Sequence, residues 1–146
     1  MTQKKLYVIN KAMNSPINID KAIFKKHRVK LAYLFGSRAK GNAAPESDFD
    51  IAVLFENPSD TLALEETSFL SLGLSKFFPT KIDIVSLNAA SLLLKYEVAA
   101  HNAVLYSKNE KERINFEVSV IKEYIDEKPI RDLYDKALYK SILLNS

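Results

Sequence analysis

Apolar positions alternate or run in short blocks over the first hundred residues and recur at helical spacing over the last forty. From Val29 the chain alternates, then runs apolar through Leu31, Tyr33, Leu34 and Phe35 before stopping at Gly36, which predicts a strand entering a turn. Phe49 to Phe55 predicts a second strand, closed by Asn57-Pro58. Lys81 to Ser86 predicts a third and Val104 to Tyr106 a short fourth. Helices are expected over 19–27, with Asn18 or Asp20 near the start, and over 89–100. A longer one is expected over 61–77, where Asp60 suits an N-cap, Leu70, Leu74 and Phe77 share a face, and Pro79 stops the helix. Residues 37–41 suit one helical turn, and 42–47, with Pro45, a loop. The fold class is α/β: a small mixed sheet flanked by helices, followed by a helical tail.

That tail, from Asn109 onward, reads as two helices parted near Lys128-Pro129, because a residue before proline avoids helical geometry. In the first, Ile114, Val118, Ile121 and Ile125 share one face while Phe116, Val120 and Tyr124 fall elsewhere. In the second, Ile130, Leu133, Tyr134, Ala137, Leu138 and Ile142 form one stripe. The two helices either pack on each other or leave apolar surface for a partner.

Composition narrows the chemistry. Length 146 fits one compact domain, and 47% hydrophobic residues suffice for a core. With no cysteine and two histidines, disulfides, cysteine–zinc sites and histidine-rich metal sites are excluded. No apolar run approaches the roughly 20 residues of a membrane helix, and the first residues lack a secretory signal pattern, so a cytoplasmic protein is expected. The net charge of +3, from 21 basic and 18 acidic side chains, is a solvated surface and does not indicate direct nucleic-acid binding.

The segment with chemistry in it is Gly36-Ser37-Arg38-Ala39-Lys40-Gly41, a loop, and then Ser47-Asp48-Phe49-Asp50. Asp48 and Asp50, two apart at the mouth of a strand, leave on the same side, roughly 7 Å apart along the backbone. Ala52 and Leu54 continue that phase inward; Ile51, Val53 and Phe55 occupy the other. Carboxylates held this close repel unless a cation or proton compensates, and magnesium takes one or two carboxylates plus substrate phosphates. Gly36 lets an anion approach the backbone, Ser37 adds a hydroxyl, Gly41 permits a tight exit, and Arg38 and Lys40 add positive charge. Asp83 is an acid in an apolar strand: a third ligand, an exposed strand residue, or a partner for Lys81. His27 and His101 suit helix ends, Ser47 suits capping or orienting the acid-bearing strand, and Tyr96 and Glu97 suit core and surface.

The ordered pattern G-S-x-A-x-G-x5-S-D-x-D resembles the signature of the polymerase β-type nucleotidyltransferase superfamily. The short length and strand-rich flanks resemble its minimal nucleotidyltransferases, the MntA-type antitoxins paired with HEPN-domain toxins. The sharp motif covers Gly36 to Val53, and looser similarity extends through Lys81-Ile82-Asp83-Ile84-Val85, where that family places a third carboxylate. The resemblance implies a minimal nucleotidyltransferase domain over 1–108, with 109–146 as a helical extension of the same domain. It implies two magnesium ions held by Asp48, Asp50 and Asp83, these being also the catalytic acids, and phosphates held at Gly36, Ser37, Arg38 and Lys40. It implies ATP as donor and a tyrosine hydroxyl of a HEPN toxin as acceptor. A small-molecule transferase of the aminoglycoside-modifying kind, and an antitoxin that acts by binding alone, are the rival readings.

Overall fold

The computed structural model describes residues 5–10, 15–41, 44, 46–56 and 60–145, with side chains over 17–39, 41, 44, 46–56 and 64–145. The sequence pattern assigns no element ahead of Ile19, yet an antiparallel hairpin stands there, β1 (Lys5–Asn10) with β2 (Ser15–Asp20), pairing Val8 with Ile17 and Leu6 with Ile19. Ile17 and Ile19 are both buried and Asn18 between them is exposed, a period of two that marks a strand and corrects the expected helix start at Ile19. Helix α1 (Ala22–Lys26) begins only after Asp20, whose Oδ1 accepts from the Ala22 N–H at 3.0 Å.

Four further strands form the central sheet: β3 (Val29–Phe35), β4 (Phe49–Phe55), β5 (Ile82–Ser86) and β6 (Ala103–Ser107), in the order β5-β4-β3-β6. The expected strands are all present. The pairings of β3 with β4 and with β6 are antiparallel, while β4 and β5 are parallel. A parallel pair needs a crossover, and α3 (Asp60–Ser75) supplies it. That helix ends at Ser75, four residues before Pro79, because the Phe77 and Phe78 N–H groups turn back to the Leu74 and Ser75 carbonyls and bury Phe78.

Both faces of this sheet are covered. Val29, Ala32, Leu34, Ile51 and Val53 pack with Phe24 of α1 and with Leu70 and Leu74 of α3. On the other face Leu31, Tyr33 and Ala52 meet Val98 of α4 (Leu92–Ala100) and Phe116 of α5 (Glu110–Asp126). A register shift between Val29 and Leu31 inverts the phase of β3 at Lys30, which is why Val29 and Ala32, three apart, share a face. Helix α4 starts later than the sequence predicts, at a cap in which Ser91 Oγ accepts from the Leu94 N–H. Helix α5 starts at Asn109, whose Oδ1 accepts from the Glu112 N–H, and its Tyr124 stacks on Tyr96 of α4 with ring centroids 3.8 Å apart.

The last helix, α6 (Lys128–Leu144), has no buried residue. Tyr134 is 74% exposed and Leu144 77%, so α5 and α6 do not pack face to face. Glu127 between them keeps right-handed helical geometry (φ −85°, ψ −7°) instead of making a loop. Pro129 falls in the first turn of α6, where its missing N–H has no partner to lose. The chain therefore runs on as an arm, steadied where the Arg131 guanidinium lies 3.7 Å over the Tyr124 ring. No helix among the described residues is long and apolar enough to cross a membrane.

Candidate active site

Strand β3 delivers the chain to Gly36, which takes φ 72° and ψ −151°, a conformation open essentially to glycine alone. A β-carbon there would stand 2.7 Å from Asp50 Oδ2, so the turn and the carboxylate are in immediate contact. A single turn, α2 (Ser37–Lys40), follows and exits through left-handed Gly41 (φ 76°, ψ 14°), as the small residues there predict. Ser37 is exposed on this turn.

Asp50 is the meeting point. Its register partner on one side is Phe35, the residue before Gly36, and on the other it is Asp83 of the parallel strand β5. Asp50 shares its phase with Ala52, and Asp83 with Val85; both of these apolar residues belong to the face covered by α4 and α5. Asp48 lies just ahead of β4 and is exposed, as is Asp83. Partial burial holds the Asp50 carboxyl above its ordinary value, helped by the charges of Asp83 and then Asp48. Asp83, which the sequence offers beside the pair Asp48 and Asp50, is thus set directly across from Asp50.

Of the two cations placed with the phosphates, Arg38 has a different location. It is 3% exposed, its Nη2 donates to the Ser47 carbonyl at 2.5 Å, and its guanidinium lies 4.2 Å over the Phe49 ring. The structure thus gives the guanidinium a carbonyl and a ring as internal partners, where the resemblance implies a contact with phosphate. Lys40 belongs to α2, but its side chain lies outside the described residues. Thr80 is a residue for which the sequence carries no signal: its Oγ1 donates to the same Ser47 carbonyl at 2.9 Å. Ser47 orients the acid-bearing strand through its backbone. His27 pairs with Glu66 (3.0 Å) and His101 caps α4, both structural. An open cavity of about 280 Å³ lined by Lys30, Glu56, Lys108 and Glu112 lies at the opposite end of the sheet, away from the acids.

Among the described residues no three His, Asp or Glu side chains are gathered closely enough to hold a metal ion unaided. Magnesium is ordinarily held by one or two carboxylates together with the substrate's phosphates. A mutually repelling set of acids, one of them touching a glycine turn open to anions, fits that mode of binding.

A sheet end that combines a glycine-serine turn with acids from two adjacent strands has the features expected of a nucleotidyltransferase site. The family of polymerase beta nucleotidyltransferases matches residues 18–111, and the chain belongs to it. Two curated relatives are more specific. Protein adenylyltransferase MntA of Aphanizomenon flos-aquae is 36% identical over 100 residues, covering 64% of this chain and 67% of the relative. The MntA of Shewanella oneidensis is 32% identical over 97 residues, covering 66% and 67%. Among solved structures, a toxin–antitoxin with AMP-PNP superposes with a TM-score of 0.62 at 25% identity, covering 80% of this chain and 94% of that one. A complex of the tri-AMPylated Shewanella oneidensis HEPN toxin with its MNT antitoxin shares the fold, with a TM-score of 0.58 at 23% identity, covering 80% and 91%.

Proposed function

We propose that this chain is the cytoplasmic antitoxin of a pair, transferring AMP from ATP with magnesium onto a tyrosine of a cognate HEPN ribonuclease toxin and so silencing it. The observation that carries the reading is the contact of the Gly36 turn with Asp50 beside Asp83, which sets a phosphate cradle against paired acids. The MntA relatives and the AMP-PNP-bound neighbour support adenylate as the group moved.

In this reading Gly36 and Ser37, with Lys40 nearby, hold the triphosphate by backbone N–H groups, hydroxyl and charge. Asp48, Asp50 and Asp83 would hold the magnesium, which when bound neutralises charge on the phosphate oxygens. The tyrosine oxygen attacks the α-phosphorus, the bond to the β-phosphate oxygen breaks, and pyrophosphate leaves with that electron pair. Asp83, the exposed acid on the edge strand, serves either as a magnesium ligand, the phenolic proton then passing to water, or as the base that takes that proton. Little covalent chemistry falls to the protein; its contribution is alignment and charge.

The arm supplies the place for the toxin. It carries four bases (Lys128, Arg131, Lys136, Lys140) against two acids (Asp132, Asp135), so two arms repel each other and an acidic helical surface on the toxin suits them better. It also lies wholly beyond the residues shared with the family, where partner choice can vary without disturbing catalysis.

The test is incubation of the chain with magnesium and ATP labelled at the α-phosphate, in the presence of purified HEPN toxin and, in parallel, of an aminoglycoside. Label on a toxin tyrosine is expected. Label on an aminoglycoside instead, or full neutralisation of the toxin by an Asp48→Asn, Asp50→Asn chain, would replace this reading with one of its rivals.

A further inference from the structure

Asp48 is exposed, yet the chain on both sides of it is pinned. Ahead of it, the Ser47 N–H donates to the Ala44 carbonyl at 3.0 Å, and the Ser47 carbonyl accepts both Arg38 Nη2 (2.5 Å) and Thr80 Oγ1 (2.9 Å). After it, the Phe49 N–H donates to the Lys81 carbonyl at 2.9 Å. The Phe49 ring is fully buried between the Arg38 guanidinium and Phe78, whose ring centroid is 5.0 Å away.

The peptide unit is planar, so the Ser47 oxygen and the Asp48 nitrogen belong to one rigid plate. Two donors on that oxygen fix the tilt of the plate, and with the Phe49 N–H bond fixing the next plate they restrict the direction in which the Asp48 side chain leaves. The donors come from the two other parts of the site. Arg38 stands on the turn after Gly36, and Thr80 precedes β5, which carries Asp83. One carbonyl thus ties the phosphate turn, the first acid and the strand of the third acid to a common point. A charged donor on a carbonyl is the stronger kind of hydrogen bond, and burial shields it from competing water.

We propose that Arg38 and Thr80 are positioning residues of the transfer reaction, acting through the Ser47 carbonyl to aim Asp48. The proposal rests on the nucleotidyl-transfer reading for its kinetics but not for its structural readout. Residues that orient a ligand to a metal typically matter about 10–100-fold in affinity or activity. Arg38→Lys is therefore expected to lower kcat by about 10–100-fold while the Kd for magnesium–AMP-PNP stays within about 3-fold. Thr80→Val, nearly isosteric, is expected to give the same pattern by less than about 10-fold, and the double variant to lose less than the product of the two. In the ligand-free chain both variants are expected to move the Ser47 carbonyl carbon and Asp48 amide resonances.

Loss of AMP-PNP affinity at unchanged kcat in Arg38→Lys would make the arginine a nucleotide contact and overturn the proposal. So would unmoved Ser47 and Asp48 resonances in Thr80→Val, or effects that multiply independently. If the wild-type chain transfers no AMP, the proposed activity falls, and the resonances still decide the positioning.

Discussion

The acid-bearing edge of the sheet and the α6 arm are opposite kinds of unfinished surface. At the edge, charge is concentrated on a rigid, buried base: Asp50 is pressed against the Gly36 turn and burdened by Asp83 and Asp48. On the arm, apolar groups such as Leu133, Leu138 and Ile142 stand in water on a helix that shares no core. Repelling carboxylates call for a cation and a polyphosphate; an uncovered apolar stripe calls for protein. On the proposed reading, the difference separates chemistry from partner choice in this chain, so that each should be alterable without the other.

The largest test of that separation is Asp48→Asn with Asp50→Asn. Transfer is expected to fall at least about a thousandfold, since the ligands that place the reacting phosphate are gone, while circular dichroism and toxin capture stay as in the wild type. Capture lost along with transfer would break the comparison.

Next comes Gly36→Val, which forces a branched side chain into a glycine-only conformation and onto Asp50 Oδ2. A cost of about 1–3 kcal/mol is expected from the backbone alone, read as a lower urea midpoint, and calorimetry should show magnesium–ATP binding lost. Wild-type affinity in this variant would reduce the turn to a structural role.

Truncation after Lys128 is expected to do the converse. Among the described residues it removes no buried side chain, and of side-chain contacts the Arg131–Tyr124 stack and the exposed Lys128–Asp132 ion pair, so the stability loss should be about 0.5–1 kcal/mol. Leu74→Ala in the core should cost about 2–5 kcal/mol by comparison. ATP binding should persist in the truncated chain and capture of the HEPN toxin should fail; capture surviving intact would take the arm out of the interface.

The smallest effect concerns pH. An acid whose folded value is raised binds its proton more tightly in the folded state than in the unfolded one. Stability therefore declines as pH rises from the ordinary carboxylate value through the raised value of Asp50, and is level above it. Asp50→Asn removes that decline, so without metal it should be slightly more stable than wild type at pH 7 and indistinguishable well below pH 4. Equal urea midpoints at both pH values would show that the acids do not strain the edge.

The central strands and the Gly36, Asp48 and Asp50 positions were legible because each rests on local pattern: an apolar run cut by glycine, or acids two apart on a strand. The hairpin was not, because Ile17 and Ile19 alternate too briefly beside Pro16 and polar residues to stand out. Arg38 was legible only in part. Sequence reports its charge but not its burial, and the carbonyl and ring that hold it come from residues on either side of Asp48. Thr80 was invisible, since its partner lies 33 positions away. The arm's apolar stripe was plain, but whether it met α5 depended on the backbone of Glu127 alone.

The parallel pairing of β4 with β5 has a consequence for the order of events in folding. Asp50 and Asp83 are neighbours across a connection that contains α3, so bringing them together closes a long loop. Closing such a loop is slower than zipping the antiparallel β3–β4 pair, so the complete acid cluster should be a late product of refolding. In a stopped-flow experiment, binding of a fluorescent ATP analogue should trail the recovery of far-ultraviolet circular dichroism. Simultaneous recovery of the two signals would mean that β5 docks with the rest of the sheet.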